Sequence, residues 1–301
     1  MLAFNITPID HCRRLESFLR TLLPTSPSGY PRKLIKSKAI RLNDSSATPD
    51  TLLAVHDVVS LKESTTLKGL LSDDRPVLDI LYEDSHIAIV NKPSGLPMHR
   101  TAEHETNLVD QAMAYMSDRN TECKLYPVNR LDRGTSGTVI LAKSSSSAGI
   151  FGRQVKETGL NKLYLALVEG CPQGGGVIVE PLDGKESETR YEVLACGDGC
   201  SLLSVIPISG RMHQIRRHLE MVGYPVLGDK RYGGKVLPGL TGFALHSFRT
   251  ILTLPYSGIL AVCAPLTDEL LDLCNQGGIE QEGLLRMVKK LATDETDIKY
   301  N

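Results

Sequence analysis

Thr189-Arg190-Tyr191-Glu192-Val193-Leu194-Ala195-Cys196-Gly197-Asp198-Gly199-Cys200-Ser201-Leu202-Leu203-Ser204-Val205-Ile206-Pro207-Ile208 reads as two strands, 189–195 and 201–208, with no helix between them. Working outward, further strands are expected at 162–168 on one side and at 249–254 and 259–263 on the other. Val77–Tyr82, Ile87–Asn91 and 137–142 add three more, and helices are expected near 106–117, 145–158 and 211–222. Strands outnumber helices and do not alternate regularly with them. That argues against a doubly wound sheet and predicts an α+β fold: a mixed, largely antiparallel sheet with helices packed on it and a central cleft.

The first 64 residues read as a separate small α/β module. Leu15, Phe18, Leu19 and Leu22 lie at helical spacing in 12–23, and Pro24 stops that helix. A second short helix, 31–38, turns Leu34 and Ile35 inward and leaves Arg32, Lys33, Lys36 and Lys38 solvated. Ala39–Asp44 then alternates into a strand and turn, and Asp57–Leu61 reads as another strand. Residues 1–62 hold nine Lys or Arg against five Asp or Glu, an excess of four and a local electrostatic footprint. A lysine-rich helix is most often a plain solvated face. Residues 65–77 are polar and turn-rich and read as a linker, the larger domain spans 78–276, and 277–301 is a C-terminal extension with a helix over Glu282–Ala292.

Composition excludes more than it assigns. Charge over the 301 residues is balanced, 34 basic against 35 acidic. The seven cysteines (12, 123, 171, 196, 200, 263, 274) are odd in number and form no C-x-x-C pair, so reduced thiols are expected rather than a disulfide framework or a zinc knuckle. No apolar run approaches membrane-spanning length, and a cytoplasmic monomer without membrane association is the expectation.

Three segments carry possible chemistry. In Val128-Asn129-Arg130-Leu131-Asp132-Arg133-Gly134-Thr135-Ser136-Gly137 a carboxylate stands between two cations that favour its ionised form. That suits a nucleophile or electrostatic stabiliser, though an ordinary ion cluster opening a strand fits equally well at this point. In Asn161–Gly170, Lys162, Tyr164, Ala166 and Val168 share one strand face; a tyrosine there is more often core than catalyst, but a lysine beside it is seldom fully buried. In Ile208–Leu219, Ser209 is expected to cap a helix whose buried stripe is Met212, Ile215, Leu219 and Val222. Arg211, His213, Arg216 and Arg217 make that helix either an exposed basic face or a cation set for phosphate or a carboxylate across a cleft. His213 and His218 are five apart, a poor spacing for one metal, so no metal is expected.

Together these segments closely resemble the RluA-type pseudouridine synthases over about residues 78–272. The matching motifs include Leu81-Tyr82-Glu83-Asp84, Val90-Asn91-Lys92-Pro93-Ser94-Gly95, Arg130-Leu131-Asp132-Arg133 and Lys162-x-Tyr164-x-Ala166. Further on come Gly210-Arg211-x-His213-Gln214-Ile215-Arg216, Pro225-Val226-Leu227-Gly228-Asp229, Ala244-Leu245-His246 and Ala264-Pro265-Leu266. The N-terminal module resembles the alpha-L RNA-binding module of a small-subunit ribosomal protein, through Arg14-Leu15, Leu34-Ile35-Lys36 and Ile40-Arg41-Leu42-Asn43. That pattern often has Gly where this chain has Lys38. Two positions depart from the synthase pattern: Asn129 stands where His is usual, and Gly134 where the residue is often acidic.

The resemblance implies an isomerase that converts uridine in structured RNA to pseudouridine without a cofactor. It makes Asp132 the nucleophile, Arg216 its ion-pair partner, and Tyr164 the ring that stacks on the base and takes the C5 proton. It makes Arg130 the residue that fills the space left by a flipped nucleotide. Arg211 and His213, with Arg32, Lys33, Lys36, Lys38 and Arg41 on the N-terminal module, are the expected RNA contacts. Ribosomal RNA, of the large subunit above the small, is the favoured substrate, with transfer RNA the second choice. A non-catalytic RNA-binding assembly factor is the rival class. Signatures of zinc deaminases, P-loop enzymes and Gly-x-Ser-x-Gly hydrolases are absent.

Overall fold

The computed structural model describes residues 1–71, 78–100, 105–117, 124–157 and 159–294. The N-terminal unit contains β1 (Leu2–Asn5), α1 (Leu15–Leu22), α2 (Tyr30–Lys36), β2 (Ile40–Leu42) and β3 (Val58–Leu61). Its three strands pair antiparallel in the order β1-β3-β2. Leu15, Phe18 and Leu19 of α1 bury one stripe against Ile35, Val59 and Leu61. Lys38 takes a left-handed φ of 57°, the conformation that glycine adopts without strain.

Part of the N-terminal positive charge is spent inside the molecule. Arg13, fully buried, forks onto Asp79 at 2.5 and 2.8 Å. Arg20 reaches Glu16 at 2.7 Å and Glu83 at 2.9 Å, and Lys143 meets the same Glu83 at 2.7 Å. Arg14 pairs with Asp50. Isolated buried charges are costly, so each cation is placed where a carboxylate can meet it. The Arg13–Asp79 and Arg20–Glu83 pairs tie the unit to β4 (Asp79–Glu83), the edge of the larger sheet. Residues 65–70, expected within a linker, instead form α3 (Thr65–Leu70), capped by Ser64 Oγ accepting from the Leu67 amide at 3.1 Å. The remainder of that expected linker, from 72 to 77, lies outside the described residues.

The larger domain is the mixed, largely antiparallel sheet that the strand pattern predicts. Its strands are β4 (Asp79–Glu83), β5 (Ile87–Lys92), β6 (Tyr126–Pro127), β7 (Ser136–Ala142) and β8 (Asn161–Glu169), then β9 (Gly176–Ile178), β10 (Thr189–Cys196), β11 (Cys200–Pro207), β12 (Leu245–Leu254) and β13 (Gly258–Cys263). The order is β4-β5-β7-β12-β8-β11-β10-β9, with β6 beside β7 and β13 beside β12. Every pairing is antiparallel except β7 with β12, which run parallel through Ser136–His246 and Gly137–Ser247.

Helices α4 (Leu108–Ser117), α5 (Ser145–Glu157), α6 (Gln214–Met221), α7 (Asp268–Gln276) and α8 (Gln281–Thr293) pack on this sheet. Alternation along the central strands feeds two cores. Ala88, Val90, Val139 and Leu141 join Leu108, Ala112 and Met116 of α4, while Ile87, Ile89 and Ile140 join Phe151 of α5. Helix α8, read from the spacing of its leucines, buries Leu284, Leu285 and Val288 in the first of these cores. It also reaches the N-terminal unit, where His11 Nε2 donates to the Leu285 carbonyl at 2.7 Å.

Three local expectations are corrected. Helix α6 spans Gln214–Met221 rather than 211–222, so Met212 and Val222 fall outside it, 61% and 38% exposed, and of the expected stripe only Ile215 and Leu219 are buried. Ser209 does not cap it; its hydroxyl donates to Gln214 Oε1 at 2.7 Å, and His213, at φ 53°, occupies the cap position. The cysteines are not all free, because Cys171 and Cys196 are joined in a disulfide. They sit just beyond β8 and at the end of β10, where the shared neighbour β11 brings their Cα atoms to 5.9 Å, a closeness no sequence spacing displays. Cys12, Cys200, Cys263 and Cys274 are buried thiols, and Cys123 lies outside the described residues.

Candidate active site

Asp132 sits on the turn that leads into β7, its carbonyl accepting from the Thr135 amide at 3.1 Å. Lys92, with 0% exposure, staples this turn to the preceding loop. Its ammonium donates to the carbonyls of Pro93, Leu96 and Arg133 at 2.9, 2.8 and 3.1 Å, using all three of its hydrogens. Burial pushes that ammonium down to about 7, with Asp132 pulling it back up. Asn129, the first departure from the family pattern, behaves as an extra strand residue. Its Oδ1 accepts from the Ile140 amide at 2.8 Å, and its Nδ2 donates to the Thr138 carbonyl at 3.5 Å.

The second departure has a packing reason. A Cβ at Gly134 would come within 2.7 Å of the Phe243 ring and 3.1 Å of the Gly242 backbone, so no acidic side chain fits there. Gly137, at φ 109°, lets the parallel strands meet, since a Cβ would fall 2.2 Å from the Ser247 carbonyl oxygen.

Neither flanking arginine is the cation that serves Asp132. Arg133 donates to the Gly95 carbonyl at 3.0 Å and pairs with Glu105 at 2.8 Å, and Arg130 is exposed at the rim. The partner is Arg216, 84 residues away on α6, whose Nη1 donates to Asp132 Oδ2 at 2.8 Å. The other edge of the same guanidinium forks onto Asp229, Nε to Oδ2 at 2.5 Å and Nη2 to Oδ1 at 2.9 Å. Its Cζ stands over two rings, 4.1 Å from the Phe243 centroid and 4.9 Å from that of Tyr232. Burial works against the Arg216 charge, but the hydrogen bonds it donates to Asp229 and Asp132 outweigh it and hold the guanidinium above its ordinary value. His213 Nε2 stands 3.7 Å from Asp132 Oδ1, and its Nδ1 shares a hydrogen bond of 2.9 Å with the Tyr232 hydroxyl. Burial holds this imidazole below its usual value against the pull of Asp132.

Tyr164, on β8, is 8% exposed and closes the same cleft, which encloses about 360 Å³. That volume falls within the ~300–1,000 Å³ typical of small-ligand sites. Burial raises the Tyr164 phenol to about 12, so it is neutral near pH 7. Lys162 lies two residues back on the same face, 6% exposed, with its Nζ 5.7 Å from the Tyr164 ring centroid. Burial alone drops its ammonium to about 7.

The sign of the linkage follows. Between about pH 7 and the ordinary lysine value near 10.5 the unfolded chain holds a proton that the folded one lacks, so stability rises with pH across this window. Below about 7 the folded state carries the full penalty. Lys162→Met is therefore expected to stabilise the fold at pH 6 by on the order of a few kcal/mol, with the gain vanishing toward pH 10.5. Urea unfolding at the two pH values checks this, and an equal gain at both would exclude titration of Lys162 as the cause.

The cleft thus gathers a carboxylate, its guanidinium and a neutral tyrosine. The sequence profile of the family described as RNA pseudouridylate synthase matches residues 86–221, which include all three groups. The "Ribosomal large subunit pseudouridine synthase C" of Escherichia coli (strain K12) is 30% identical over 305 residues, covering 90% of this chain and 94% of that protein. The chain belongs to this family. The protein of the same name from Buchnera aphidicola subsp. Acyrthosiphon pisum is 32% identical over 245 residues, covering 73% and 77% of the two chains. The solved structure of "Human RNA Pseudouridylate Synthase Domain Containing 4" matches with a TM-score of 0.55 at 25% identity, covering 65% of this chain and 92% of that one. The protein is accordingly an RNA pseudouridine synthase, an isomerase.

For a pseudouridine synthase the other expected residues divide into two places. Arg130, Arg211 and His213 line the cleft with Asp132, Tyr164 and Arg216. Arg32, Lys33, Lys36, Lys38 and Arg41 lie on the N-terminal unit, where the three lysines and Arg41 are exposed. Arg32 is partly absorbed instead: it pairs with Glu16 at 2.8 Å and its guanidinium lies 5.9 Å from the Tyr82 ring centroid. The sequence reading missed the functions of Lys92, Asp229, Tyr232 and Phe243 in building the site. Lys92 and Asp229 stand in motifs that could have flagged them, while the two rings carry no signal short of the fold. Among the described residues no cluster of His, Cys, Asp or Glu could hold a metal, and no helix is long and apolar enough to cross a membrane.

Proposed function

We propose that this synthase isomerises uridine in large-subunit ribosomal RNA, with Asp132 as nucleophile. The observation that carries the mechanism is the unequal treatment of the Asp132 oxygens. Oδ2 is held by Arg216, while Oδ1, with His213 no nearer than 3.7 Å, faces the cleft. Attack on the ribose or the base leads to cleavage of the N1–C1′ bond; the base turns, C5 bonds to C1′, and the bond to Asp132 breaks, which regenerates its carboxylate. The C5 hydrogen leaves as a proton and N1 gains one, so product and substrate are isomers and no cofactor is consumed. Tyr164 stacks on the base; as a neutral phenol it accepts the C5 proton only as it passes its own onward.

The target nucleotide is flipped from its stack at a cost of a few kcal/mol, with exposed Arg130 filling the gap. Lys33, Lys36, Lys38 and Arg41 contribute affinity through phosphates. The names of the relatives support the large-subunit substrate. The test is tritium release from RNA labelled at uridine C5, with large-subunit, small-subunit and transfer RNA offered separately and Asp132→Ala as control. Release from large-subunit RNA by the wild type alone is expected. Release confined to transfer RNA would overturn the substrate, and RNA binding without release from any pool would point to an assembly factor.

A further inference from the structure

We propose that Asp229 is a positioning residue that keeps Arg216 from taking both oxygens of Asp132. The inference rests on the reading of Asp132 as nucleophile. A guanidinium offers two edges and prefers to bind a carboxylate through two parallel hydrogen bonds. Here the Nε–Nη2 edge is engaged by Asp229 at 2.5 and 2.9 Å, and Asp132 receives the single remaining contact from Nη1 at 2.8 Å. Phe243 and Tyr232 lie 4.1 and 4.9 Å from the guanidinium carbon, contacts that are not directional and leave its rotation free. The Asp229 fork removes this rotation. Asp229 is itself 1% exposed and further anchored by the Arg231 amide, which donates to Oδ1 at 3.2 Å. The result is one orienting bond to the nucleophile, with Oδ1 accepting no hydrogen bond among the described residues and His213 Nε2 3.7 Å away. Without Asp229, Arg216 can turn in its slot and fork onto Asp132, tying up the attacking atom.

Asp229→Asn tests this, because it keeps the shape and the acceptor for the Arg231 amide while losing the charge. Asp229→Ser serves if the first variant does not fold, since its hydroxyl keeps a capping oxygen. The single-turnover rate at saturating RNA is expected to fall about 10²-fold, with RNA affinity within threefold of wild type. In an Arg216→Lys background, where no fork is possible, the same change is expected to cost almost nothing more. Equal costs in both backgrounds would assign Asp229 a merely structural part and overturn the proposal. A crystal structure of Asp229→Asn reads the idea without turnover: Arg216 forked onto both Asp132 oxygens supports it, and Arg216 unmoved overturns it. Absence of product from the wild type would count against Asp132 as nucleophile, and the crystal structure would still decide the geometry.

Discussion

Asp132→Asn is expected to reduce tritium release by on the order of 10⁴-fold or more, the scale on which a group acting as nucleophile is lost. The change is close to isosteric and removes only the charge. Its structural cost is small, because the side chain of Asp132 is 26% exposed and Arg216 keeps its fork on Asp229. Stability within about 1 kcal/mol of wild type and RNA affinity within a few-fold are therefore expected, which separates chemistry from folding and binding. A rate within tenfold of wild type would remove Asp132 from the reaction.

Arg216→Met is the second large effect, and it strikes fold and chemistry together. Asp229, 1% exposed, and Asp132 both lose their cation, and Met cannot offer a hydrogen bond to either. Removing one partner of a buried ion pair costs about 3–5 kcal/mol, which for a chain of 301 residues corresponds to a melting temperature lower by about 5–8 °C. Turnover is expected to fall with it, as the nucleophile loses its orienting bond. Arg216→Lys keeps the charge and reaches one carboxylate, so it is expected to recover part of the stability but little of the rate. Calorimetry of the two variants checks the order, and an unchanged melting temperature for Arg216→Met would contradict the buried pairing.

The fold was largely legible because its signals are local. Alternation in 161–169 and 200–207 and helical spacing in 15–22 and 281–293 depend on neighbours a few residues apart, and these elements lie where the spacing puts them. Asp132 stood out because two arginines and a glycine-bounded turn surround it. The same features misled on its electrostatics. Arg130 and Arg133 are adjacent in sequence, yet the chain direction at the turn carries both away, and the serving cation arrives from α6. The N-terminal charge excess was visible, but not that Arg13, Arg14 and Arg20 would be taken up by carboxylates of the fold. Ion pairs across 36 to 84 residues leave no pattern in composition or period. Met212 and Val222 matched a helical stripe only because the helix was extended past both of its ends.

The contact between His11 and the Leu285 carbonyl spans 274 residues. During synthesis at ~5–20 residues per second, roughly 14–55 s separate the two ends of that hydrogen bond. Arg13 and Arg20 wait a shorter time, until Asp79 and Glu83 have been made, and Arg249 waits for the carbonyls of Leu291 and Asp294. The N-terminal unit is thus made well before the segment that seals it. Helix α8, which carries none of the cleft residues, is the piece that closes it.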